Sequence, residues 1–311
     1  MKMRNILLTV VSAVLLVLSG CTKKQNASER VLNLVSITEI KGYDPIMAND
    51  LYSSREISKI YEGLLSYHYL KVPFELQGNL AEAMPEVSKD GMTYTFKILQ
   101  GVKFQDDAAF PGGKGREVEA SDFVYSLKRL ADSKNLSDGW WVLDGKLVGL
   151  NEWRDKNAKL PTADYSEEVE GLKALDKYTL QFKLKKPFPQ FLYSLAMPYT
   201  YVVAKEVVEK YGKQFINHPV GTGPFSLAKF DQSKMITYYK NPTFREKFYP
   251  KDASSEYLDH LGDAGKRLPL VDKVVVHVII ESQPAWLKLN KGEIDTYSIP
   301  KDNFATAVKN N

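Results

Sequence analysis

Residues 274–299, VVVHVIIESQPAWLKLNKGEIDTYSI, decide the fold class. Val274 to Ile280 is a nearly unbroken apolar run rich in β-branched residues, the pattern of a strand covered on both faces. Ser282 suits a helix N-cap, Pro284 suits a first turn, and Ala285, Trp286 and Leu289 supply an apolar face. Gly292 stops that helix, and Ile294 to Ile299 returns as a strand. Strand, helix and strand in so short a span predict a βαβ unit, and hence an α/β fold with parallel pairing. Tyr297 and Ser298 then fall at the carboxyl end of a parallel strand, where open α/β sheets hold ligands, although an ordinary strand end has the same composition. His277 lies inside the apolar run and is expected to be a hydrogen-bonded core histidine.

Upstream, Val31 to Val35 reads as a strand and Asp44-Pro45 breaks the chain. Ile57, Ile60, Tyr61 and Leu64 recur at helical spacing and predict a helix over 54–65. Lys89-Asp90-Gly91 is a tight turn, after which Tyr94, Phe96 and Ile98 alternate with Thr93, Thr95 and Lys97. The same alternation recurs after Asp176-Lys177, with Leu180, Phe182 and Leu184 on one face, so the two antiparallel units are expected to share a sheet. Between them, Ser121 can cap a helix carrying Phe123, Val124, Leu127 and Leu130, and residues 107–117 form a Gly-rich loop. A short helix is expected over Ala204 to Tyr211. A rigid turn over 219–225 opens a strand through Leu227, and a further strand runs from Met235 to Tyr239. Residues 243–269 are charged and irregular, with no packing pattern.

The chain has 311 residues, 44% hydrophobic and 26% charged, which excludes disordered and collagen-like classes. Lys and Arg number 42 against 38 acidic residues; without Lys2 and Arg4 the balance is 40 against 38, or +2. That is too weak for a nucleic-acid partner, whose phosphates demand clustered basic charge. The single cysteine excludes internal disulfides and multi-cysteine metal sites. Lys2 and Arg4 precede an apolar run from Ile6 to Leu18, which is too short for a lasting membrane span of about 20 residues. This is the pattern of a secretory signal peptide. Leu18-Ser19-Gly20-Cys21 resembles the lipobox of bacterial lipoproteins, which implies that Cys21 is lipidated and becomes the new N-terminus. The polar stretch 22–29 then serves as a tether to a membrane surface, and two or more acyl chains hold where one does not.

No catalytic pattern is visible: there is neither a G-x-S-x-G elbow nor an H-E-x-x-H pair, and the four histidines are scattered. Neither a metal site nor a cofactor is expected. Trp140-Trp141, beside a glycine, suits ligand stacking and core packing equally. A secreted hydrolase would need a nucleophile or a carboxylate pair that these residues do not display.

Several blocks, in order, carry a family resemblance. Ile60 to Leu65, Leu80 to Pro85 with Asp90 to Lys97, Gly101 to Phe104, Ala120 to Ser126, Pro219 to Phe225, Leu268 to Asp272 and Gly292-Glu293-Ile294-Asp295 resemble blocks of the family 5 extracellular solute-binding proteins of ABC importers, which include dipeptide- and oligopeptide-binding members. The chain departs from the family pattern at Leu99-Gln100 and Gln105-Asp106-Asp107. The resemblance implies a type II periplasmic-binding clamshell of α/β class. Its first lobe is interrupted by an inserted mixed α+β domain, and its second lobe is expected to lie beyond this chain. The implied organisation is signal peptide 1–20, tether 21–30, first lobe 31–66, inserted domain 67–185 and first lobe again 186–311. The implied function is capture of an oligopeptide or dipeptide outside the cytoplasm and delivery to ABC permease subunits, with the membrane held through the N-terminal lipid. Nickel, haem, oligosaccharide and opine ligands stay open on the same fold. The resemblance places ligand contacts at Asn49, Asp50, Leu51 and Tyr52, and after the G-E-I-D block at Tyr297, Ser298 and Ile299. The acidic residue that pairs with a peptide's amino group is expected beyond Asn311.

Overall fold

The computed structural model describes residues 29–308. The signal-peptide segment and Cys21 lie outside the described residues. The described residues from Val31 onward form one compact unit.

The strands are β1 (Val31–Ser36), β2 (Leu65–Tyr67), β3 (Leu76–Gly78), β4 (Glu86–Val87), β5 (Thr93–Lys97), β6 (Leu172–Asp176), β7 (Thr179–Lys183), β8 (Phe225–Asp231), β9 (Met235–Lys240) and β10 (Lys273–Val278). Helices longer than a turn are α1 (Leu51–Ile60), α2 (Ala120–Ala131), α3 (Leu150–Ala158), α4 (Lys205–Tyr211) and α5 (Ser282–Asn290). One mixed sheet has the order β1-β10-β9-β8, and an antiparallel sheet has the order β4-β5-β7-β6. β2 and β3 form a separate hairpin.

The antiparallel sheet follows from the alternation of its sequence. Tyr94 opposes Phe182 and Phe96 opposes Leu180, so the two hairpins share a ladder through β5 and β7. Their apolar faces close on a ring cluster. Phe96 and Phe182 meet edge-to-face at 5.8 Å, and Phe191 meets Phe182 at 5.3 Å. Buried aromatic pairs of this geometry add about 0.5–1.5 kcal/mol beyond area burial. Helix α2 lays Phe123, Leu127 and Leu130 on this core, while Val124 stays half-buried. Its cap is Glu119, in a reciprocal box with Asp122, and not Ser121. Asp122 bonds the Glu119 backbone and Arg116 together, which Ser121 cannot do.

In the mixed sheet, β1 runs parallel to β10, with Val31 opposite Lys273 and Ser36 opposite Val278. Val274, Val275 and Val276 are buried, as the continuous apolar run requires. The expected third element of the βαβ unit does not form as a strand. Asp295 N–H donates to Asn33 O at 2.9 Å, but the Asp295 carboxylate itself takes the Asn33 N–H at 2.5 Å. A side chain thus occupies the place of the next ladder carbonyl, and pairing stops after one main-chain bond. The cap of α5 is Glu281 and not Ser282, while Gly292, at φ 70°, ends the helix as expected. His277 is not a satisfied core histidine: its Nε2 is buried without a hydrogen-bond partner.

Helix α1 begins at Leu51 and ends at Ile60, earlier than the periodicity suggests. Asp50 caps it by accepting the Ser53 N–H at 2.8 Å, and Tyr61 is already extended. The segment expected to lack packing is docked. Tyr249 N bonds Lys266 O, Ser254 N bonds Leu70 O, and Ser255–Asp263 coils into 3-10 turns against the β2–β3 hairpin loop.

Candidate functional site

Tyr52, Arg55, Glu56 and Lys59 stand at i, i+3, i+4 and i+7 on α1, so one face of the helix carries all four. That face meets the carboxyl ends of the parallel pair β1–β10 and the arrested segment 296–298. The result is a groove of about 290 Å³, lined by Leu34 to Ile37, Val276, Thr296, Tyr297 and Ser298 together with the α1 face.

The floor of the groove is polar but internally balanced. Glu56 is buried and accepts from Tyr238 Oη at 2.5 Å and from Lys59 Nζ at 2.5 Å. Tyr238 in turn shares a 2.6 Å hydrogen bond with Tyr43. Burial, then the Glu56 charge, pushes the Tyr238 hydroxyl far above its ordinary value, so it stays a proton donor to Glu56. Lys59 is paired with Glu56, whereas the exposed Arg55 at the groove wall carries no salt bridge among the described residues.

The backbone of β1 is also positioned for use. Ile279 N donates to Ser36 O, so Ser36 faces β10, while Asn33 faces Asp295. Successive strand residues alternate, so the N–H and C=O of Val35 point to the Asn33 side, beyond the point where pairing stops. They open on the groove.

Of the residues singled out in the sequence, Tyr52, Tyr297 and Ser298 converge here. Asn49, Asp50 and Leu51 sit at the amino end of α1. Asn49 is exposed; it accepts from Lys41 Nζ at 2.9 Å and donates to Asp138 Oδ2 at 2.6 Å. Burial pushes Asp50 up, but bonds from Ser53 and the charge of Lys41 outweigh it and hold the carboxylate below its ordinary range. Its Oδ2 is buried without a hydrogen bond, and Lys41 Nζ lies 3.6 Å away. Leu51 and Ile299 are exposed and lie outside the groove lining. Trp140 and Trp141 also lie outside it. Arg154 stacks over Trp140 at 4.7 Å, which makes that ring partly structural, whereas Trp141 is exposed. Their loop instead adjoins Asn49 through Asp138 and through a bond from Ser137 to Ile46 O. Sequence reasoning passed over Arg55, Glu56 and Lys59, although their spacing from Tyr52 was a readable signal. Among the described residues, no group of three His, Cys, Asp or Glu could hold a metal. Among the same residues, no helix is long and apolar enough to cross a membrane.

Residues 75–311 match the family model described as bacterial extracellular solute-binding proteins, family 5 Middle. The glutathione-binding protein GsiB of Escherichia coli O6:K15:H31 (strain 536 / UPEC) is 31% identical over 270 residues, covering 86% of this chain and 42% of the relative. The Escherichia coli murein tripeptide binding protein MppA superposes with a TM-score of 0.69 at 25% identity, covering 90% of this chain and 48% of that one. Haemophilus influenzae OppA in complex with RPPGFSPFR gives 0.70 at 21% identity, with the same coverages of 90% and 48%. The chain thus spans about half the length of these structures, and less of the curated relative. Their oligopeptide-binding fold agrees with the expected α/β clamshell class.

Proposed function

This chain belongs to the bacterial extracellular solute-binding proteins of family 5, and we propose that it binds a short peptide in the groove between α1, the β1 edge and residues 296–298. The observation that carries this reading is the convergence of Tyr52, Tyr297 and Ser298 at the carboxyl ends of the parallel pair. An extended peptide laid there pairs with the outward groups of Val35, so backbone bonds supply affinity without reading side chains. Tyr52 and Tyr297 flank it, and Arg55 offers a charge to a carboxylate. Asn49, Asp50, Leu51, Trp140, Trp141 and Ile299 extend the surface a longer ligand would touch.

In this reading the protein captures its ligand outside the cytoplasm and hands it to ABC permease subunits, with Cys21 carrying the lipid that holds it to the membrane. The solved relatives named for peptides and the curated relative named for glutathione support a peptide or peptide-like ligand. The two sheets support the proposed division into a first lobe (31–66 and 186–311), built on the mixed sheet, and an inserted domain (67–185), built on the antiparallel one. Binding, not turnover, is its task.

Native mass spectrometry of the protein purified gently from its source tests the ligand class. Peptide masses that Tyr297→Ala loses support the reading; a stoichiometric nickel ion, haem, oligosaccharide or opine replaces it. Intact-mass analysis showing an unmodified Cys21, or a start elsewhere, refutes the anchor.

A further inference from the structure

A second pocket, of about 260 Å³, shares no lining residue with the groove. Its floor is an unbalanced charge cluster. Glu62 is buried and pairs in bidentate fashion with Arg245, at 2.5 and 2.9 Å, and it also accepts from Thr222 Oγ1 at 3.0 Å. Both carboxylate oxygens are therefore engaged. Lys247 Nζ, 2.7 Å from Asn79 Oδ1, finds only that neutral acceptor, which it shares with Arg245 at 3.0 Å. Two cations thus stand over one carboxylate, and two of the three ammonium protons of Lys247 have no partner among the described residues. Burial, only partly offset by Glu62 and reinforced by Arg245, pushes Lys247 below the ordinary lysine range. A partly desolvated cation whose neighbouring carboxylate is already taken by Arg245 is costly, and an entering anion relieves that cost. Above this floor the walls are apolar: Tyr69, Tyr201, Phe244 and Pro269. The volume falls just under the ~300 Å³ at which small-molecule pockets begin, which suits a compact ligand.

We propose that this pocket is a second ligand site, taking a small monocarboxylate with a flat apolar body, its carboxylate on Lys247 and its ring between Tyr201 and Phe244. The wall provides the apolar contact, and the ammonium provides the charge-assisted bond that Asn79 only half supplies.

Benzoate and its neutral isostere benzamide are the probes, titrated at matched ionic strength into the full chain by calorimetry and thermal melting. Benzoate is expected to bind and raise the melting temperature, whereas benzamide does neither. Lys247→Met keeps the apolar stem and is expected to weaken benzoate by about tenfold or more, the size of a hydrogen bond to a charged group. The Lys247 side-chain NMR signal of the wild type is expected to move with benzoate, which decides the matter even if the variant folds poorly. Equal binding of benzamide, unchanged benzoate binding by Lys247→Met, an unmoved Lys247 signal, or no benzoate binding at millimolar concentration each overturns the proposal. None of these results touches the reading of the peptide groove.

Discussion

Asp44 and Arg129 show how single residues hold the segment ahead of α1 in place. Arg129 reaches from α2 to Asp44 with two bonds, at 3.1 and 2.7 Å, and both side chains are nearly buried. Breaking a buried pair leaves a charge without a counter-ion, so Asp44→Ala is expected to cost about 3–5 kcal/mol, read from the urea midpoint. His277 makes a different prediction. Burial, with Lys288 adding to it, pushes its pKa below 6.5. The fold therefore accommodates the neutral ring, and above pH 6.5 folded and unfolded chains are alike in this respect. As the pH falls, the unfolded chain takes up the proton first, so stability declines and then levels off below the folded pKa. His277→Leu is expected to flatten that acid limb in pH-dependent unfolding; an unchanged slope removes His277 from the account. In the groove, Arg55→Gln is expected to weaken acidic peptides while leaving the melting temperature unchanged, measured by calorimetry against the matching amides.

Among the elements, the turn 219–225 ties the end of α1 to the mixed sheet. Gly223 N donates to Ile60 O at 2.7 Å, and a Cβ on Gly221 would come within 2.1 Å of that same oxygen. Gly221→Ala therefore has to push the turn away from α1, an overpacking cost of about 1–3 kcal/mol that a thermal melt would register. The local elements were largely legible. Alternation at Tyr94, Phe96, Leu180 and Phe182 foretold not only two hairpins but their shared sheet, because period-2 patterning leaves only one register that buries all four side chains. The misread elements are those where a side chain competes with the backbone. Asp50 starts α1 early, Glu119 displaces Ser121 as a cap, and Asp295 halts the strand expected at 294–299. Such choices rest on a single hydrogen bond, which periodicity does not register.

For the whole molecule, the exposed apolar residues Ile280, Leu287, Ile299, Phe304 and Val308 concentrate in one stretch, the first at 66% and Phe304 at 57% exposure. Large apolar side chains left exposed in this number favour association. The chain by itself is expected to bind an apolar dye and to self-associate with rising concentration. Leu287→Lys with Phe304→Lys lowers both effects, as followed by light scattering. From the sequence alone came the α/β class, the two hairpins, the glycine turn and the family, because each rests on neighbours within a few residues or on ordered local blocks. Tertiary structure alone decided that the Tyr52–Lys59 face meets residues 296–298, and that Lys247 joins Arg245 over a carboxylate already engaged. The α1 face and residues 296–298, like Glu62 and the Arg245–Lys247 pair, lie far apart along the chain, and their meeting is set by sheet order and by where pairing stops, which leave no local trace in the sequence.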